Sequence, residues 1–192
     1  MQTVNILICG VGGQGVLLAG DIIAEAAIAG GFDAKKSEVH GMAQRGGSVV
    51  SHVRFGSKVN SPLIREGEAD AILSFEEMET ARYLHFLKKD GWLIVNRQQV
   101  IPMSVATGAV EYPSDIVERI GQQVKHLVLC PGIDLAAQAG SPKAVNTVLL
   151  GTLARKLDLM TEQWLEVISR RVPAKTVEMN KKAFELGFAH GA

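Results

Sequence analysis

Residues 4–31 have the sequence VNILICGVGGQGVLLAGDIIAEAAIAGG, and their pattern indicates the architecture of the chain. Val4–Cys9 is a continuous apolar run, which is typical of a buried strand. Residues 14–29 place Leu, Ile and Ala at helical spacing, and Gly30-Gly31 then provides a helix stop. A strand, a glycine turn and a helix in this order predict the opening of a βαβ unit, and hence an α/β fold.

The remainder of the chain alternates strands with helices and then becomes almost entirely helical. Gly56-Ser57-Lys58 predicts a hairpin turn whose return strand is Val59–Ile64. Ser74 with Glu77 predicts a capping box for a helix through Phe86, and Ser141-Pro142 predicts the start of a helix through Lys156. The other predicted strands are Ser48–Phe55, Ala69–Phe75, Gly91–Asn96 and His126–Cys130, and the other predicted helices are Asp115–Gln123, Glu162–Arg171 and Lys175–Gly187. We therefore expect a single α/β domain over residues 1–192, with a mostly parallel sheet, a β-hairpin excursion and a helical C-terminal part.

Composition and charge exclude several classes of protein. The chain has 192 residues, of which 47% are hydrophobic, and its 20 Lys+Arg balance its 20 Asp+Glu. With a net charge of zero, the protein does not have the positive electrostatic field that is typical of a dedicated nucleic-acid-binding protein. Cys9 and Cys130 occur without a CxxC or Cys/His cluster, so this chain cannot supply the four thiolates of a typical iron–sulfur cluster, and no metal site is expected. Because no apolar run approaches the ~20 residues of a membrane span and no secretory leader is recognisable, we expect a cytoplasmic protein without a membrane partner.

A glycine loop lies between the first strand and the first helix. Residues 10–15, GVGGQG, satisfy the pattern G-x-G-x-x-G at the place where a helix N-terminus offers free N–H groups to an anion. A dinucleotide site normally adds an acidic residue about 20 positions later, and neither Asp33 nor Glu38 ends a clear strand. Two interpretations stay open, an anion or phosphate site and a structural turn that packs the helix on the sheet. The candidate binding residues are Gly10, Gly12, Gly13, Gln14 and Gly15.

A second polar loop, HGMAQRGG at residues 40–47, has no usable periodicity. Arg45 is a fork of five donors suited to phosphate or carboxylate, and loops that follow strands are where ligands and partners dock. We therefore expect Arg45 to bind an anion or a partner, together with His40, Gln44, Gly46 and Gly47. In contrast, we expect His52, Arg54 and Lys58 to form a solvated face, and Glu76, Glu77 and Glu79 to cap a helix. No residue is assigned a catalytic role.

The two loops together carry a family resemblance. GVGGQG at residues 10–15, followed by SEVHGMAQRGGS at residues 37–48, resembles the gamma-type subunit of 2-oxoacid:ferredoxin oxidoreductases. Within that group, HGMAQRGG is most similar to the indolepyruvate branch, in which the corresponding chain is the beta subunit. The resemblance continues in order along nearly the whole chain, in Ser61–Ile64, Gly67–Asp70, Glu76–Arg82, Asn146–Gly151 and Asn180–Gly187. It implies a three-layer, Rossmann-like fold.

The resemblance also implies that this chain is one part of an enzyme. In that family a 2-oxoacid is oxidatively decarboxylated on thiamine diphosphate with Mg²⁺, electrons pass through 4Fe–4S clusters to ferredoxin, and acyl-CoA is the product. In the indolepyruvate branch thiamine and clusters belong to a large alpha subunit, so this chain alone holds no cofactor. The two loops would face that subunit near the active site, where they would contact CoA, contact thiamine phosphates or shape the interface.

Several alternatives remain at this point. Another 2-oxoacid, such as pyruvate, 2-oxoglutarate or a branched-chain acid, is the alternative within the family. A self-sufficient NAD- or FAD-dependent oxidoreductase and an interaction module without redox chemistry are the alternatives outside it. For the isolated chain, a homodimer that uses the same surface as the partner subunit is a further alternative.

Overall fold

The computed structural model describes residues 3–40 and 46–192, and this part of the chain forms one six-stranded sheet. The strand order is β2-β3-β1-β4-β5-β6. Strand β3 runs antiparallel to both of its neighbours, whereas β1, β4, β5 and β6 pair in parallel. Five strands therefore point in one direction, and the predicted mostly parallel sheet is confirmed. The strands are β1 Val4–Val11, β2 Asp33–His40, β3 Ser48–Gly56, β4 Ala69–Ser74, β5 Leu87–Asn96 and β6 His126–Cys130.

Helices cover both faces of the sheet, which gives three layers. The alternation of side chains along β1 sends Ile6 and Ile8 into one apolar cluster and Leu7 and Cys9 into the other. The first cluster is covered by α1 and the C-terminal helices, and the second by α2 and α4. The α-helices are α1 Val16–Ala29, α2 Glu77–Tyr83, α3 Met103–Ala106, α4 Ile116–Gly121, α5 Gly132–Ala139, α6 Val145–Ala154, α7 Thr161–Arg171 and α8 Val177–His190.

Helices α6 and α8 approach each other at backbone distance. A Cβ atom added to Gly151 would lie 2.1 Å from the carbonyl oxygen of Phe184, and one added to Gly187 would lie 1.9 Å from that of Val148. The Thr152 hydroxyl donates a hydrogen bond of 3.1 Å to the carbonyl of Gly187. Glycine is therefore required on both sides of this crossing.

The hairpin prediction was wrong about the partner of β3. Residues Val59–Ile64 form no strand, and β3 pairs instead with β2, from Asp33 opposite Gly56 to His40 opposite Val49. Side chains bind the backbone of the expected return strand: Asp33 accepts a hydrogen bond of 2.8 Å from the N–H of Val59.

His52 also differs from its prediction. Its ring was expected on a solvated face but is only 6% exposed, and its Nδ1 accepts the N–H of Ile64 at 3.3 Å. Burial lowers the pKa of His52 below its ordinary value. The ring also makes an edge contact with Phe86, with ring centroids 5.7 Å apart. The segment after β3 packs over this position through Ile64, which the alternation of residue types alone did not reveal.

The starts of two helices also differ in detail from the sequence pattern. Ser74 ends β4, and the residue that caps α2 is Glu76, whose carboxylate accepts the N–H of Glu79 at 2.9 Å. Ser141 caps the N–H of Lys143 as predicted, but the first turn after it, Pro142–Ala144, is a 3-10 turn that leads into α6. Among the described helices, none is long and apolar enough to cross a membrane.

Candidate functional site

The carboxyl ends of the parallel strands bring the two predicted loops together. Because β3 runs in the opposite direction, it begins at the edge where β1 and β2 end. The N–H of Gly12 donates to the carbonyl of Gly47 at 2.8 Å, and the N–H of Gly46 donates to the carbonyl of Gly12 at 3.4 Å. Two segments that are more than thirty residues apart in the sequence therefore form one surface at this edge, where ligands bind in open α/β sheets.

Two glycines of the first loop are required by the local geometry. Gly15 caps α1 with a φ of 87°, and a Cβ atom there would lie 1.9 Å from Nδ2 of Asn146. A Cβ atom on Gly10 would lie 2.8 Å from that of Phe75. The loop therefore packs tightly on the neighbouring strand and on α6.

Gln14 connects the glycine loop to the ends of two other strands. Its Oε1 accepts the N–H of Val11 at 2.7 Å, while its Nε2 donates to the carbonyl of Phe75 and to Oε1 of Gln98, both at 3.1 Å. The buried Asn96 donates to the same two acceptors, at 3.2 and 3.0 Å. Uncharged amides thus tie together the ends of β1, β4 and β5.

Several backbone N–H groups of the glycine loop already donate hydrogen bonds within the chain. The N–H groups of Val11 and Gly12 are engaged as described, and that of Gln14 donates to the carbonyl of Val11 at 3.1 Å. In a dinucleotide-binding fold the strand beside β1 is parallel and leads to the acid that holds the ribose. Here the antiparallel β3 occupies that place, and Glu38 on β2 is paired with Lys36. This geometry disfavours a dinucleotide site.

Three glutamates beside the loop are buried at the start of α2. Glu76 is 1% exposed, and its Oε1 accepts the N–H of Val100 at 3.1 Å and the hydroxyl of Tyr112 at 2.7 Å. Desolvation and the nearby carboxylates raise the pKa of Tyr112. Glu76 therefore caps the helix, as the sequence predicted, and also fixes the segment that follows β5.

The other two glutamates make further connections. Glu79 accepts the hydroxyl of Ser48 and, at 3.1 Å, the Nε of Arg82. Glu77 accepts Nε2 of Gln99 at 2.8 Å. Each carboxylate has bonding partners from the chain itself, so a structural role accounts for all three.

Some residues of this edge were candidates from the sequence, and others were not. All of the glycine-loop candidates, with Gly46 and Gly47, lie at this edge, and His40 is the last residue of β2 there. Gln44 and Arg45 lie outside the described residues, so the anion-binding prediction for Arg45 stays a prediction. The amides of Asn96 and Gln98 were missed, although polar residues at and just after the end of an apolar strand are a usable signal.

The two cysteines are buried in the core. Burial raises the pKa of Cys9 to about 12 and that of Cys130 to about 11. They lie on β1 and β6, which are separated by β4 and β5. Within residues 3–40 and 46–192, no group of three or more His, Cys, Asp or Glu side chains is arranged to hold a metal ion.

Comparison with known proteins gives matches over the length of the chain. Residues 5–190 match the family model for pyruvate ferredoxin/flavodoxin oxidoreductase. The indolepyruvate oxidoreductase subunit IorB of Thermococcus kodakarensis is 41% identical over 192 residues, covering 97% of this chain and 95% of that protein. The 2-oxoglutarate synthase subunit KorC of Methanothermobacter thermautotrophicus is 26% identical over 186 residues, covering 95% and 92%. The solved gamma subunit of a keto/oxoacid ferredoxin oxidoreductase from Geobacter sulfurreducens superimposes with a TM-score of 0.73 at 28% identity, covering 98% of each chain.

Proposed function

The chain belongs to the pyruvate ferredoxin/flavodoxin oxidoreductase family, and we propose that it is the small subunit of a complex that oxidises indolepyruvate and other arylpyruvates. The complex would convert the 2-oxoacid to acyl-CoA and CO₂ and pass the electrons to ferredoxin. The observation that carries this proposal is the 41% identity, over nearly the full length of both chains, to an indolepyruvate oxidoreductase subunit. Residues 1–192 would act as one gamma-type domain in the cytoplasm.

We assign thiamine diphosphate, Mg²⁺, the 4Fe–4S clusters and CoA to a large partner subunit. A cluster needs accessible thiolates, whereas Cys9 and Cys130 are buried and their raised pKa values keep them protonated. These two cysteines do not fit a cluster, so we place the clusters on the partner. Its contribution would be to complete and shape the active site of the large subunit.

We further propose that the carboxyl edge faces the large subunit. The glycine loop and the start of β3 are held there by the Gly12–Gly47 bond and by Gln14. Arg45, with the N-terminus of α1, would hold an anionic group of CoA or thiamine diphosphate. Replacing Arg45 with Ala should then weaken cofactor affinity or turnover of the assembled enzyme, and unchanged values for both would refute this role.

Reconstitution tests the proposed function directly. The purified large subunit is assayed for arylpyruvate-dependent reduction of ferredoxin or a viologen dye, with and without this chain. Activity that requires both chains and prefers indolepyruvate over 2-oxoglutarate and a branched-chain oxoacid is the expected result. Activity that is unchanged when this chain is omitted would refute the subunit role.

The alternative substrate class has one specific observation in its favour. The similarity to a 2-oxoglutarate synthase subunit extends over 95% of this chain, although the identity is only 26%. A reconstituted complex that prefers 2-oxoglutarate or pyruvate would support this alternative.

A further inference from the structure

Exposed apolar side chains are unevenly distributed between the two edges of the sheet. In the described part of the chain, nine large apolar residues are 38–78% exposed. Three of them, Ile28, Leu63 and Met160, lie toward the amino edge, in the last turn of α1, between β3 and β4, and before α7. The other six lie at or beyond the carboxyl ends of the strands. This second group, called the carboxyl-edge patch, comprises Leu17, Val39, Ile101, Met103, Val110 and Ile133.

Half of the patch belongs to one short segment. Ile101, Met103 and Val110 are 53%, 78% and 55% exposed. Residues 98–110, QQVIPMSVATGAV, contain no charged residue, although 21% of the chain is charged. A single exposed apolar residue needs no explanation, but an exposed stretch that combines apolar side chains with the absence of charge has the composition of the core of a protein interface.

The segment is held in place by buried carboxylates. Glu76 accepts the N–H of Val100 and the hydroxyl of Tyr112, which fixes the segment at both ends. The N–H of Glu77 donates to the carbonyl of Gln98 at 3.1 Å. Because these bonds fix the segment before any partner arrives, less conformational entropy is lost on binding.

The size of the patch matches a protein partner. Complete burial of one such side chain removes roughly 100 Å² of apolar surface from water, so the six half-exposed residues offer on the order of 300 Å². One side of a standard protein–protein interface buries about 800 Å². The patch therefore supplies a substantial share of the core of such an interface. Gln98 continues the patch into the glycine loop through its bond to Gln14.

We propose that the carboxyl-edge patch, centred on residues 98–110, is the surface on which the large cofactor-bearing subunit docks. This inference rests on the proposed function, which supplies the partner. Because residues 98–110 carry no charge, we expect the partner surface that contacts them to be apolar. Glu76 positions this segment.

Two methionines provide a matched pair of variants. Met103 is 78% exposed in the patch, whereas Met160 is 65% exposed toward the opposite edge. The Kd of each variant for the immobilised large subunit is measured by biolayer interferometry, and the thermal unfolding of each variant alone confirms its fold. We expect Met103→Asp to raise the Kd tenfold or more and Met160→Asp to change it less than twofold.

The possible outcomes separate this inference from the proposed function. Equal Kd values for the two variants, with wild-type chain still binding and required for activity, would overturn the docking surface alone. No binding of the wild-type chain to the large subunit would overturn both. If the isolated chain sediments as a dimer that Met103→Asp dissociates, while binding to the large subunit is unaffected, the patch covers a second copy and the inference is wrong.

Discussion

Replacing Gly151 with Ala should destabilise the chain, although the same change in an exposed helix stabilises it. The added Cβ atom would lie 2.1 Å from the carbonyl oxygen of Phe184 and 2.9 Å from the N atom of Phe188. Ordinary van der Waals contact begins at 3.4 Å, so α6 and α8 must separate by more than an ångström. Because the obstructing atoms are backbone, a change of side-chain rotamer cannot relieve the clash.

The expected size follows from two opposing effects. Alanine gains about 1 kcal/mol over glycine from helix propensity, whereas overpacking a well-packed core costs about 1–3 kcal/mol and occasionally more. The severity of this backbone clash places its cost at the upper end, so the net loss should be about 2 kcal/mol. For a domain of this length, that corresponds to a fall in Tm of roughly 4–8 °C.

Urea and thermal unfolding followed by circular dichroism measure this change. Gly121→Ala is the matched control, since a Cβ atom on this last residue of α4 meets Cδ2 of Leu127 at an ordinary 3.6 Å. The control should be neutral or up to about 1 kcal/mol more stable. If Gly151→Ala is as stable as the control, the close crossing of α6 and α8 is refuted.

Three further predictions concern buried polar groups. Burial lowers the pKa of His52, so on going from pH 7 to pH 5 the unfolded chain takes up a proton that the folded ring resists. The free energy of unfolding should therefore decrease as the pH is lowered from 7 to 5. His52→Asn should reduce this dependence in urea unfolding at the two pH values, and an unchanged dependence would contradict it. Gln14→Ala should cost about 1–3 kcal/mol in the same assay, because partners of its amide are left unsatisfied; an unaltered urea midpoint would show that the bonds are unimportant. Cys9 and Cys130 should react with a thiol reagent only in denaturant, since both are buried with raised pKa values, and prompt reaction in the folded chain would refute their placement.

Strands that are buried on both faces are among the elements predicted correctly. Strands β1 and β4 are covered on both faces and were recognisable as apolar runs. Strand β2, DAKKSEVH, was missed because it lies at an edge of the sheet and carries mostly polar residues. Its Lys36 pairs with Asp21 of α1 and with Glu38, so charged side chains take the place of the apolar alternation that identifies a strand.

The candidate site could be predicted in position but not in its connections. Glycine loops that follow strands indicated the edge at which these loops lie, because parallel strands end there together. The bond between Gly12 and Gly47 depends on the reversed direction of β3, which no local pattern encodes. The contact between Glu76 and Tyr112 joins residues 36 positions apart, so it is visible only after the chain has folded.

The ties among the ends of β1, β4 and β5 have a consequence for the way this edge meets other molecules. Gln14, Asn96 and Gln98 are neutral amides that do not titrate, and bonds between them are insensitive to ionic screening. Their relative positions should therefore stay constant across changes of cellular salt and proton concentration. The carboxyl edge should therefore present the same surface under all of these conditions. Any dependence of the assembled enzyme's activity on salt or pH would have to come from other groups.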